Sequence, residues 1–158
     1  MIKKRWAALM LLPLLALGGC QATPSYSSDY GNTRQQVTGI PLNQEKADAI
    51  GQRFTQTFNR LGSDQFLTDA QAMYAEQLFI NDTLSQFYQR SALLDHFRGM
   101  NARLSNVDVR LLNTSYSNDS AYVHWRMAYD LRMFGTTRSM ASYGISEMKV
   151  NQDGKIIF

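Results

Sequence analysis

The sequence predicts an α+β domain in which N-terminal helices pack on one face of an antiparallel sheet. Apolar residues recur at spacings of three and four through the first half of residues 43–158, then change to alternation in the second half. Turn residues punctuate that second half at hairpin intervals. Helices followed by a meander place the helices together on one side of the sheet. About 115 residues suffice for one domain with one core.

Ala47, Ile50, Phe54, Phe58 and Leu61 share one face of the first helix, with Asn43 as its cap and Gly62 as its stop. Ser63 or Asp64 is expected to cap a second helix that turns Phe66, Leu67, Ala70, Met73 and Tyr74 inward. Residues 76–81 read as a short strand, and Ser91 as the cap of a third helix. That helix carries the stripe Leu93, Leu94, Phe97, Met100 and Leu104. Residues 106–116 form a strand ended by Ser117-Asn118-Asp119. From 120 to 134, Ala121, Val123, Trp125, Met127, Tyr129, Leu131 and Met133 alternate with Tyr122, His124, Arg126, Asp130 and Arg132. One apolar and one polar face describe a half-covered antiparallel strand. Gly135 marks a hairpin, residues 137–150 run back, and Asp153-Gly154 turns the chain again. Residues 155–158 then begin a strand that is expected to continue beyond Phe158.

The N-terminus carries a different message. Lys3, Lys4 and Arg5 precede an apolar run over residues 6–17, and Leu17-Gly18-Gly19 leads into Cys20, the only cysteine. A charged start, a short apolar core and small residues before a cut describe a secretory signal. The apolar run falls short of the roughly 20 residues that span a bilayer as a helix. Leu-Gly-Gly-Cys resembles the bacterial lipobox. The resemblance implies that residues 1–19 are removed and that Cys20 carries a diacylglycerol thioether and an acyl chain such as palmitate on its new amine. Each methylene buried in the bilayer adds ~0.8 kcal/mol, so several chains anchor a protein firmly to its membrane. Gln21, in place of aspartate, favours the periplasmic face of the outer membrane. Residues 20–42, rich in Ser, Thr, Asn, Gln, Gly, Pro and Tyr, read as a flexible tether.

Sixteen Lys and Arg face thirteen Asp and Glu, and losing Lys3, Lys4 and Arg5 with the signal makes the two counts equal. A nucleic-acid partner, which a basic surface would attract, is therefore not expected. One cysteine excludes an internal disulfide and a thiolate metal site. No phosphate-binding glycine loop, metalloprotease helix or nucleophile elbow is present. No cofactor or metal is expected.

Several local patterns, in order, resemble the SnoaL-like branch of the nuclear transport factor 2-like superfamily over about residues 44–158. They are Tyr74–Asp82, Arg90–Phe97, Trp125–Tyr129, and Gly144-Ile145-Ser146 followed by residues 153–157. The resemblance implies a cone: a curved sheet wrapped around three helices, with a pocket at its open end. Phe79, Asp82, Phe97, Trp125, Met127, Tyr129, Ser142 and Ser146 would line that pocket. The same residues also suit a closed core, so the sequence leaves both arrangements open. Asp82 is a candidate general base if desolvation raises its pKa. Many relatives carry their aspartate at the position of Asn81, however, and an offset of one residue along a strand reverses the face. In close relatives the last strand continues into a His-x-Asp motif that would lie past Phe158. His96, beside the helical stripe, and His124, on the polar face, read as solvated or interface residues.

Three functions fit these expectations. The chain is a lipid-anchored, non-catalytic module that binds a small apolar ligand, a proton-transfer isomerase or dehydratase acting on such a molecule, or an assembly part. In the last case the outer sheet face, with Tyr122, His124, Arg126 and Arg132, meets a protein partner. Superfamily members often form homodimers through that face.

Overall fold

The computed structural model describes residues 25–82 and 85–158, so the expected signal, lipobox and Cys20 lie outside the described residues. Its elements run α1 (Ser25–Gln36), α2 (Gln44–Phe58), α3 (Gln65–Met73), β1 (Gln77–Asn81), β2 (Gln86–Gln89), α4 (Arg90–Asn101), β3 (Leu104–Ser117), β4 (Ser120–Met133) and β5 (Thr136–Met148). The long strands form an antiparallel meander in the order β3-β4-β5, and β1 pairs with β2 in a separate hairpin. No helix among the described residues is long and apolar enough to cross a membrane.

Helix α2 starts where the sequence placed it, because the Asn43 side chain accepts from the Lys46 N–H at 2.9 Å. Its apolar face lies on β3, where Gly51 lets the backbones approach: a Cβ there would stand 2.7 Å from Thr114 Cγ2. Just past the helix, Asn59 acts as a short piece of strand. Its amide donates to the Val109 carbonyl and its oxygen accepts from the Val109 N–H, both at 2.7 Å. Phe58 meets Phe54, Phe66 and Phe97 at centroid distances of 4.6, 5.6 and 5.6 Å, so one aromatic cluster joins α2, α3 and α4. Such pairs contribute about 0.5–1.5 kcal/mol each beyond the area they bury.

Strand β3 carries register irregularities between Ser105 and Asp108 and between Leu111 and Asn113. Extra residues on one strand of a pair bend it and increase its twist, which curves the sheet over the helices. Residues 155–158 do not form a regular strand. They stitch the two sheets together through isolated bridges: Ile157 N–H donates to the Lys149 carbonyl, and Phe79 N–H to the Ile157 carbonyl.

Several elements differ from expectation, each for a local reason. Neither Ser63 nor Asp64 caps α3: Asp64 already has helical dihedrals and its side chain makes no cap bond, while the Ser63 hydroxyl donates to the Arg60 carbonyl. Ser91 lies inside α4, because pairing with β1 holds Gln89 extended and the helix begins directly at Arg90. Strand β2 went unseen, since four residues show no period. Leu104 belongs to β3 and not to the helical stripe.

The largest difference is in the expected tether of residues 20–42, of which residues 25–36 form α1. This helix has almost no apolar face, and polar contacts from distant residues hold it. Arg34 Nε donates to Glu147 at 2.9 Å, Tyr30 donates to the same carboxylate at 2.8 Å, and Lys149 Nζ reaches the Arg34 and Val37 carbonyls. Burial alone would raise the Glu147 pKa. Hydrogen bonds from Arg34, Tyr30 and Ser120, with the Arg34 charge, outweigh it and hold the carboxyl below its ordinary value.

Candidate functional site

Between the concave face of the sheet and helix α4 lies a cavity of about 960 Å³. Its form follows from a size mismatch across two strands. On β4, Trp125 and Met127 face inward, and their register partners on β5 are Gly144 and Ser142, with Ser146 opposite Val123. Large side chains on one strand oppose small ones on the next, so the face does not fill itself. At Gly144 the space is fully used: a Cβ would stand 2.3 Å from Trp125 Cζ2. The indole lies across that glycine, and its Nε1–H donates to Ser146 Oγ at 3.0 Å.

All eight side chains assigned to a pocket from the sequence line this cavity, including Phe79, Asp82 and Phe97. Trp125, Met127 and Tyr129 are only partly buried and face open space. Phe54, Phe58, Leu93, Phe97 and Ile156 form much of the apolar floor.

Asp82 follows β1 and faces the cavity, although the one-residue offset from the relatives' aspartate suggested the reverse. It has left the strand pairing: its N–H donates to the Ser85 carbonyl, and its Oδ1 accepts from the Ser85 N–H at 2.7 Å. Its other oxygen, Oδ2, stands 2.9 Å from His96 Nε2, and both side chains remain about one-third exposed. The imidazole packs against Phe87 at 5.0 Å between ring centroids. A carboxylate fixed on one oxygen and a histidine fixed by the other make a charged corner in a mainly apolar cavity, whose other polar side chains include Asn81, Ser142 and Ser146.

His96 was not among the residues assigned to the pocket. It sits three residues after Leu93 and four before Met100, the helical spacing that places it on the inward face, and that spacing could have found it. Tyr30, which also lines the cavity from α1, had no signal because its helix was unforeseen. His124 lies on the opposite face of β4. On that outer face Tyr122, expected to stand free for a partner, accepts a hydrogen bond from Arg34 at 3.1 Å. Tyr143 and Ile145, register partners of Arg126 and His124, are the most exposed apolar side chains of β5. Among the described residues no three His, Cys, Asp or Glu side chains come close enough to hold a metal ion.

Solved structures share this architecture. An NTF2-like protein of unknown function from Exiguobacterium sp. 255-15 superposes with a TM-score of 0.58 at 14% identity, covering 67% of this chain and 90% of its own. An LEH-like epoxide hydrolase from M. tuberculosis gives 0.56 at 12% identity, covering 72% and 75%. TsrD from Streptomyces laurentii gives 0.57 at 11%, covering 73% and 86%. Identities this low establish a nuclear transport factor 2-like fold and no more. No curated protein matches the chain. The family model of the SnoaL-like domain matches residues 51–158, which hold α3, α4, both sheets and most of the cavity wall. The chain belongs to the SnoaL-like domain family.

Proposed function

We propose that this chain is a lipid-anchored protein of the outer membrane, facing the periplasm, whose cavity binds a small, mainly apolar molecule with one polar end. The observation that carries the binding reading is the cavity itself: mainly apolar walls of Trp, Met, Leu and Phe, with the Asp82–His96 ion pair among its few polar groups. Small-molecule sites have this composition, with a few placed polar groups fixing orientation. The Leu-Gly-Gly-Cys sequence supports the anchor. The fold itself is silent on the choice, since one scaffold hosts many functions.

Thermal-shift screening with hydrophobic compounds bearing a carbonyl or hydroxyl group tests the binding. A ligand at a hundred times its Kd adds about 2.7 kcal/mol, a rise of roughly 10 °C for a domain of this size. A panel that leaves the midpoint unmoved overturns it. For the anchor, labelled palmitate should enter the wild-type chain and not Cys20→Ser. Equal labelling of both removes the anchor from the proposal.

One observation favours a second reading, proton transfer. If His96 donates its Nε2 proton to Asp82, the carboxylate holds the ring in place and its Nδ1 is left to accept a proton from a bound molecule. A bound ketone would then exchange the hydrogen next to its carbonyl for solvent deuterium, and Asp82→Asn or His96→Ala would slow that exchange at least tenfold. Exchange that both variants leave intact excludes the pair as the base.

A further inference from the structure

The hairpin that joins β4 to β5 turns on two residues, Phe134 and Gly135, with φ values of 49° and 76°. This left-handed pair suits Asn-Gly, because a side chain on the first residue is crowded there. Among the described residues only two others with a Cβ take positive φ, and both are asparagine, Asn106 and Asn118. Here phenylalanine occupies the strained place and buries nothing: Phe134 is 99% exposed. Met133 beside it is exposed as well. Folding gains nothing from an aromatic side chain at this point, so the residue needs another explanation.

Charge indicates what meets it. Arg132 and Arg138 stand exposed on the two strands directly behind the tip. Arg103 joins them, its carbonyl accepting from the Arg132 N–H at 2.9 Å. Among the described residues none of the three forms an ion pair with a carboxylate. The one acid close by in sequence, Asp130, takes hydrogen bonds from Asn106 and Ser139. The result is a protruding apolar point backed by three guanidinium groups, of which Arg103 donates to the Gly99 carbonyl at 2.9 Å and none is neutralised by a carboxylate among the described residues.

We propose that the β4–β5 tip docks on an anionic lipid bilayer, with Phe134 and Met133 entering the interface and Arg103, Arg132 and Arg138 meeting headgroup phosphates. Aromatic side chains settle at the membrane–water boundary, and basic residues near an anionic surface each strengthen attachment. A convex tip suits a fluid layer, whereas a protein partner would have to supply a matching pocket. Tyr129 and Leu131, on the same strand, line the cavity, so docking brings the cavity wall toward the bilayer. The proposal does not depend on what the cavity holds, and its failure would leave the ligand reading standing.

The test is a fluorescent reporter at the tip. In the full chain with Cys20→Ser, an NBD group is attached through Thr136→Cys. Vesicles of phosphatidylcholine with phosphatidylglycerol should shift its emission to the blue, brighten it severalfold, and let nitroxides on the lipid chains quench it. Phe134→Ser should remove the shift, and Arg132→Gln with Arg138→Gln should weaken vesicle affinity about tenfold or more. Every variant shares one N-terminus, so differences among them belong to the tip. An unmoved spectrum with anionic vesicles overturns the proposal and leaves Phe134 as the contact of a protein. An equal response to pure phosphatidylcholine, insensitive to the arginine changes, overturns the anionic selectivity.

Discussion

Replacing Lys149 by alanine should lower the stability of the domain by about 3–5 kcal/mol, the largest loss expected from changing one charged residue here. The ammonium is almost dry, with 8% of its side chain exposed, and stands 3.2 Å from Asp119, itself 13% exposed. It also donates to the Arg34 and Val37 carbonyls, which connects α1 to the sheet. Removing it strands a desolvated carboxylate whose remaining support comes from backbone N–H groups, that of Gly39 at 2.9 Å and its own. By contrast, the Arg98–Asp95 pair on α4 lies in water, and Arg98→Ala should cost less than about 0.5 kcal/mol. Burial would raise the Asp119 pKa, but Gly39 and Lys149 outweigh that and hold it below its ordinary value. In the wild type this carboxylate therefore stabilises the fold above its unfolded pKa, and that contribution is lost as the pH falls through the lower folded value. Without Lys149 the sign inverts. The dry carboxylate gains by taking a proton, so the gap between variant and wild type should narrow toward pH 4 in urea unfolding. Pairing Lys149→Met with Asp119→Asn should recover most of the loss, since neither charge is then stranded. A loss below about 1 kcal/mol in the single variant would mean that the ion pair is open to water.

That network also explains what the sequence concealed. Helix α2 was legible because Ala47, Phe54 and the residues between them build an amphipathic stripe that any partner surface would bury. Strand β4 was legible because Val123, Trp125, Met127 and Tyr129 alternate without interruption. Helix α1 was not, since its order comes from Glu147 and Lys149, more than a hundred residues away, and from no property of its own composition. The candidate site divides along the same line. Periodicity assigned a face to Trp125, Met127 and Tyr129, but whether that face is filled depends on the strand opposite. Ser142, Gly144 and Ser146 are small at alternate positions, and only the register that pairs them with β4 turns this into open volume. The Asp82–His96 contact crosses a turn and joins two elements, so no period within either one reports it.

Gly144 is where that volume is most easily lost. Alanine in place of glycine in a strand ordinarily gains about 0.5–1 kcal/mol, because the unfolded chain has less freedom to lose. At position 144 the added Cβ would stand 2.3, 2.7 and 2.8 Å from three atoms of the Trp125 indole, all closer than real Cβ contacts come. A ring offers no flexible end that could move aside, so the whole indole has to swing away from β5. The open direction is the cavity, and the swing breaks its bond to Ser146. Overpacking of this kind costs about 1–3 kcal/mol, and the lost hydrogen bond adds about 1 kcal/mol. The two together exceed the alanine gain, so Gly144→Ala should destabilise by about 1–3 kcal/mol net. The effect on binding is larger. A displaced indole occupies the ligand's space, and affinity for any compound found in the thermal-shift screen should fall about a hundredfold, the equivalent of about 2.7 kcal/mol. Trp125→Leu separates the causes: in that background Gly144→Ala meets no ring and should be neutral or stabilising. If the alanine variant loses as much with leucine at position 125 as with tryptophan, the indole is not what the missing side chain makes room for. The size mismatch across β4 and β5 would then no longer account for the cavity.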